Sequence, residues 1–168
     1  MEEQPDGEVA AEARFEEEPL TKLHPNHATV LRIQAIIASV PFILVAIGLE
    51  TRSPFMMGLI IGPVALLALI AILRIPMRRH LARGYTMGDD RLRVVRGILF
   101  RHDTVVPFGR VQHIDVNQGP LERMFNIATL TLHTAGTHNA SVHLPGLEQG
   151  LAREMREEIR AHIRRDTL

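Results

Sequence analysis

The 168-residue chain contains no cysteine and no tryptophan, a single tyrosine (Tyr85) and, beside 18 arginines, a single lysine (Lys22). Without cysteine there is no disulfide framework, thiolate metal site or thiol nucleophile, and the redox compartment is not readable from cysteine usage. Aromatic residues make up 4% of the chain, and the C-terminal portion has no surface of clustered bases interleaved with aromatics. That speaks against nucleic-acid binding. Net charge is lacking too, with 19 bases against 19 acids and a mean hydropathy of +0.06. Averaged over its length, the chain resembles an ordinary soluble domain. The average conceals a partition. The first 19 residues carry eight acids and one base (−7), and the other 149 carry 18 bases and 11 acids (+7).

Apolar residues are concentrated in one block. Ile33–Leu49 runs 17 residues and Phe55–Leu73 runs 19 residues without a charge. As helices these reach about 26 and 28 Å, close to the ~30 Å hydrocarbon core of a bilayer. Glu50-Thr51-Arg52-Ser53-Pro54 suits the tight turn of a helical hairpin. The reading is a two-helix transmembrane hairpin over 29–74, with spans at about 33–49 and 55–73. Soluble core helices or a cleaved signal peptide fit less well, because two such runs lie back to back, start late and come after an acidic segment. Pro41 and Pro63 are tolerated in membrane spans. Gly58 and Gly62 form a GxxxG and are candidate helix-packing positions, against the other span or a second copy.

Lys22, Arg32, Arg74, Arg78, Arg79 and Arg83 flank the hairpin, whereas the connecting loop has only Arg52, offset by Glu50. The positive-inside rule places both termini in the cytoplasm. Arg74, Arg78, Arg79 and Arg83 become candidate contacts for anionic lipid of the bilayer. The acidic segment 1–22 contains Pro5, Gly7 and Pro19 and reads as a disordered tail that could compete with lipid for those arginines.

From Gly84 the pattern becomes short β segments. Arg91–Val95 and Ile98–Arg101 read as a hairpin about Arg96-Gly97, followed by strands at 104–106 and 111–116 and one helical turn at 121–125. Asn126 is a candidate left-handed exit from that turn. Ala128–Thr134 and Ala140–Leu144 alternate apolar and polar, which predicts antiparallel strands with one wet face joined by the loop 135–139. Pro145-Gly146 ends the sheet pattern. Leu147–Arg165 then reads as a helix with Leu151, Met155, Ile159 and Ile163 on its apolar stripe and Arg153 paired with Glu157. The fold class is a membrane α-hairpin followed by a mainly-β barrel or sandwich (84–168) covered by a C-terminal helix.

Residues 89–136 resemble the bacterial pleckstrin-homology-like domain of the YdbS type. The resemblance is carried by Val106-Pro107-Phe108, Arg110-Val-Gln-His-Ile-Asp-Val116, Gln118-Gly-Pro-Leu-Glu-Arg123, Thr134-Ala-Gly136 and Leu144-Pro-Gly-Leu147, and it extends over roughly 30–165. Asn126 stands where the family usually has Gly. The resemblance implies two near-orthogonal sheets closed by a C-terminal helix in a bacterial inner-membrane protein. It implies no ligand. The loop Gly88-Asp89-Asp90 is acidic, which argues against classical phosphoinositide capture.

The polar stretch Arg110, Gln112, His113, Asp115, Gln118, Gly119, Pro120, Leu121, Glu122 and Arg123 is the candidate partner surface. The competing reading is internal hydrogen bonding that anchors the loop at Gly119-Pro120. His113, Asp115, His133 and His143 could converge as metal ligands on outward strand positions, but their spacing matches no standard zinc site. Ser39 and Ser53 lie in the membrane region or its outer loop, and Ser141 has no nucleophile-elbow sequence, which speaks against a serine hydrolase. The sequence therefore predicts a non-catalytic membrane-anchored binding or assembly module without a cofactor. Its partners would be the bilayer and a membrane protein or a second copy. The alternatives are a small metal-dependent membrane enzyme or an accessory subunit of a transport or stress-response complex.

Overall fold

The computed structural model describes residues 19–52, 58–135 and 141–166. Most of the acidic segment 1–22 lies outside them, but its end is not a tail. Thr21–Lys22 form β1, pairing antiparallel with β2 through Thr21 opposite Tyr85 and Lys22 opposite Gly84. The chain then enters helix α1, Asn26–Glu50, and returns through α2, Ile61–Leu81. Both are long and apolar enough to cross a membrane.

The helix ends differ from the ends of the charge-free runs. α1 starts before Ile33, and α2 begins after Phe55 and continues past Arg74 to Leu81. A charge marks where hydrocarbon ends. It does not interrupt backbone hydrogen bonding, so the helices continue beyond the span. Residues 53–57, in the expected turn and second span, fall outside the described residues. At the far end, the buried Glu50 carboxylate accepts the N–H of Gly58 and that of Ile61 (3.1 Å). The Glu50 carboxyl oxygens thereby meet the N-terminus of α2, where amides lack intrahelical acceptors. Pro63 sits in that first turn, the position proline tolerates best.

The GxxxG is not a helix face. Gly58 occupies a turn at φ +87°, outside α2, and a Cβ added at Gly58 or Gly62 would meet nothing within 4 Å. Neither glycine marks a close backbone approach here. The expectation that they pack the second helix against the first is corrected.

The domain contains two antiparallel sheets. β2 (Gly84–Met87), β3 (Arg91–Arg96) and β4 (His102–Pro107) complete a sheet in the order β1-β2-β3-β4. After a single 3-10 turn at Phe108–Arg110 come β5 (Val111–Asn117), the short helix α3 (Pro120–Met124), β6 (Ile127–Thr134) and β7 (Ser141–Glu148), ordered β5-β6-β7. The helix α4, Gln149–Asp166, packs on β5, β6, β7 and the 3-10 turn. Leu92, Phe108, Leu130, Leu132, Leu144, Leu147, Ala152, Met155 and Ile159 form the shared core. A membrane α-hairpin followed by a pleckstrin-homology-like β domain with a covering helix is thus the architecture.

Four local expectations are corrected. Ile98–Arg101 is not a strand. Gly97 turns at φ +126°, where any Cβ would lie 1.7 Å from the Phe100 carbonyl, and β4 starts only at His102. β7 runs through Pro145-Gly146. A register shift opposite Ala128/Leu130 accommodates them on an edge strand, which proline and a bulge both favour. Leu147 consequently completes β7 instead of starting α4, and Leu151 is 37% exposed, so the buried stripe is Ala152, Met155 and Ile159. Glu157 pairs with Arg156 and Arg160 rather than with Arg153. Residues 136–140, most of the expected β6–β7 loop, are outside the described residues.

Candidate functional site

The candidate partner surface divides into two groups with different surroundings. The first is a knot at the start of α3. Gly119 precedes the helix, Pro120 takes the first helical position and Glu122 the third. Glu122 Oε2 accepts the Gly119 N–H (2.8 Å), the reciprocal half of a capping box, and Oε1 accepts from Thr129 Oγ1 (2.9 Å). Gln118 Nε2 donates to the Ile127 carbonyl (2.9 Å) and its Oε1 accepts from Gln149 Nε2 (3.3 Å). Asn126 leaves the helix at φ 55°, as expected of its type. Leu121 is half-buried, while Pro120 and Arg123 are exposed. Gln118 and Glu122 therefore spend their polar atoms on the loop itself.

The second group lies on the outer face of the β5-β6-β7 sheet. The register slips between Val111 and His113, so Gln112 is the extra residue of a bulge, and Gln112 and His113 are both exposed. His113 then sits opposite His133, their ring centroids 5.9 Å apart. Both rings address one carboxylate: His113 Nε2 lies 2.9 Å from Asp115 Oδ1 and His133 Nε2 lies 3.3 Å from Asp115 Oδ2. His133 Nδ1 is 2.9 Å from Ser141 Oγ, and His143 Nδ1 is 3.1 Å from Thr131 Oγ1. Arg110 is exposed at the end of the 3-10 turn, where its carbonyl accepts from the Ala135 N–H (3.2 Å).

Asp115 draws both Nε2 atoms to separate oxygens of its carboxylate, and His143 is directed to Thr131 instead of joining them. Among the described residues no group of three or more His, Asp or Glu side chains is placed to hold a metal ion. Ser141, His133 and Asp115 stand in the order of a hydrolytic relay, but they lie along an open strand face.

A third cluster, unforeseen from sequence, joins the membrane helices to the domain. His27, in the first turn of α1, is 4% exposed. It lies against Gly146, whose φ of +73° and missing Cβ make room for the ring: a Cβ there would come within 2.5 Å of His27 Cγ. Arg83 Nη1 stands 3.3 Å from His27 Nε2. A guanidinium only donates, so Nε2 accepts and the ring proton sits on Nδ1, a buried atom without a partner among the described residues. Around it, the His24 N–H donates to the Gly146 carbonyl (2.8 Å) and Asn26 Nδ2 to the Phe125 carbonyl (3.0 Å). The start of α1 is thereby tied to both β7 and α3.

Of the four juxtamembrane arginines, Arg74, Arg78 and Arg79 are exposed on α2, and Arg83 is half-buried at the junction. Burial, then the neighbouring Arg79 and Arg96 cations, lower the Arg83 pKa from its ordinary value. Arg79, Arg83 and Arg96 form no ion pair among the described residues. The sequence signals for this junction were His24-Pro-Asn-His27 immediately before a span and the Pro145-Gly146 interruption of a strand. Neither is interpretable until the fold brings them together.

The bacterial PH domain family (bPH_2) matches residues 30–163. The UPF0699 transmembrane protein YdbS of Bacillus subtilis (strain 168) is 32% identical over 149 residues, covering 85% of this chain and 92% of that protein. No solved structure matches the chain.

Proposed function

Because this chain belongs to the bacterial PH domain family, we propose that it is a non-catalytic binding and assembly module, held by its helical hairpin at the cytoplasmic face of the bacterial inner membrane. Its partner is a membrane protein or a second copy, docked on the outer face of the β5-β6-β7 sheet. The observation that carries this reading is that α4 covers one face of that sheet while the other presents Gln112, His113, Asp115, His133 and His143, of which the last four are held by polar contacts along β5 and across to β6 and β7. Fixed polar groups on a rigid sheet suit recognition, since little side-chain entropy is lost on docking. The relative's name describes a transmembrane protein and states no activity. Service as a subunit of a larger membrane complex is one form of the same role.

A photo-crosslinking residue at Gln112 of the full chain in its native membrane tests the docking face, with Glu154 on the exposed side of α4 as control. We expect one discrete adduct, with a membrane protein or a second copy, at 112 only, and its loss in His113→Ala and Asp115→Ala. No adduct at 112, or the same adducts from both positions, refutes the assignment. Orientation is testable because the chain has no cysteine. Arg52→Cys should react with an impermeant maleimide in intact cells and Asp89→Cys only after permeabilisation. The reverse pattern refutes the cytoplasmic placement.

A further inference from the structure

We propose that Ile98-Leu99-Phe100 inserts into the leaflet on which the domain rests. These side chains are 46%, 91% and 77% exposed, three consecutive apolar residues in a turn. A lone exposed Leu is unremarkable in a soluble domain, but a contiguous exposed apolar tip calls for something that covers it. Their projection is enforced locally, because Gly97 at φ +126° closes the turn so tightly that only glycine fits.

The strand register identifies the occupant. α2 ends at Leu81 and β2 begins at Gly84, so Gly84 marks the membrane end of the sheet. Lys22, four residues before α1, pairs with the same Gly84. β3 runs back antiparallel, with Val95 opposite Gly84 and Arg96 opposite His102. The turn after Arg96 therefore projects beyond Gly84, toward the bilayer. The opposite turn, Gly88-Asp89-Asp90, lies at the far end and is acidic.

Distances and charges agree with this placement. From Arg74, the first charge after the apolar run, α2 continues seven residues to Leu81. That is about 10 Å of helix. The headgroup zone is about 5–8 Å deep on each side of the hydrocarbon, so a turn reaching back past Gly84 meets it. Arg96 and Arg101 flank the tip. Arg83 and Arg96 line a cavity of about 240 Å³ that also contains His143 and Leu23. With no carboxylate paired to Arg83 or Arg96 among the described residues, this is a place for an anionic headgroup beside an inserted apolar tip.

The proposal rests on the hairpin crossing the bilayer, and its test separates the two. The chain has no tryptophan, so each introduced one is a sole reporter. Phe100→Trp, Leu99→Trp, Phe42→Trp within α1 and Asp89→Trp at the distal turn are each reconstituted, as full chains, one per nanodisc. The lipid is phosphatidylethanolamine with phosphatidylglycerol, with or without brominated acyl chains. Insertion predicts blue-shifted emission at positions 99 and 100 and quenching by brominated chains at least about twofold above Asp89→Trp. Quenching at Phe42→Trp but not at 99 or 100 overturns the proposal and leaves the anchor standing. A blue shift at 99 and 100 without bromine quenching also overturns it, because the tip is then covered by protein. Absence of quenching at Phe42→Trp as well removes the hairpin reading and the proposal together. Replacing phosphatidylglycerol by phosphatidylcholine, or adding inorganic phosphate, distinguishes headgroup from free anion at Arg83 and Arg96. Weaker quenching at the tip only on lipid replacement assigns a headgroup. Equal weakening by dissolved phosphate assigns a soluble anion and overturns headgroup binding.

Discussion

Replacing Gly146 by alanine tests how the domain is fixed to its anchor. Two costs are legible. At φ +73° an L-residue is strained by about 1–2 kcal/mol. The new Cβ would also lie 2.5–2.9 Å from His27 Cγ, Cβ and Nδ1. The ring is buried and tied to Arg83 at 3.3 Å, so it cannot swing into solvent without leaving its site. Overpacking of this kind costs about 1–3 kcal/mol. Together Gly146→Ala should destabilise the domain by about 2–5 kcal/mol. In a His27→Ala background only the backbone strain persists, about 1–2 kcal/mol, leaving a coupling of about 1–3 kcal/mol between the two positions. Tyr85, the sole tyrosine in a chain without tryptophan, is buried in the core, and its fluorescence reports domain unfolding in detergent-solubilised full chains titrated with guanidinium. If Gly146→Ala costs the same with and without His27, within about 0.5 kcal/mol, the interlock reasoning is refuted.

Three further outcomes are expected. Asp103 accepts from the almost fully buried Arg93 guanidinium at 2.9 Å, and that hydrogen bond holds its carboxyl below the usual aspartate range. Asp103→Asn should cost about 1–2 kcal/mol, discounted for the carboxylate's exposure. Because the folded pKa is depressed, the wild-type contribution is complete above the unfolded carboxyl value and fades as pH falls through the folded one. The same unfolding titration repeated at descending pH should show a flatter acid limb in the variant. Glu122→Ala removes two of the hydrogen bonds that close the α3 knot and should cost about 1–2 kcal/mol in that assay, whereas the exposed Arg123→Ala should stay within about 0.5 kcal/mol. Glu50→Ala should raise hydrogen exchange at the Gly58 and Ile61 amides by loosening the start of α2, while Gly62→Ala should leave the oligomeric state in detergent unchanged.

Much of the organisation was legible along the chain. Charge-free runs of bilayer length, alternation in Ala128–Thr134 and fourfold spacing in α4 are local consequences of 1.5 Å helices and two-residue strand periods, and each survives folding with altered ends. The knot at Gln118–Glu122 was legible in kind, since Gly-Pro followed by Glu is helix-start chemistry. Errors arose where one residue type serves two purposes. Ile98–Phe100 has the composition of a strand, but the tight turn at Gly97 places it in a loop. Pro145-Gly146 has the composition of a break, yet an edge strand with a bulge absorbs both. Gly58 and Gly62 have helix-packing spacing, but Glu50 holds Gly58 in the turn before α2.

Sequence alone determined a helical hairpin of bilayer length, the β character of the domain after it, a covering C-terminal helix and the family these belong to, because periodicity and hydropathy are properties of neighbouring residues. Only the tertiary structure decided what these parts do to one another. It brought the two histidines of β5 and β6 to one carboxylate, and it seated His27 against a glycine more than a hundred residues away. It also placed an apolar turn at the same end of the sheet as both membrane helices. Those relations depend on strand register and on which distant segments close together, and no local pattern encodes either.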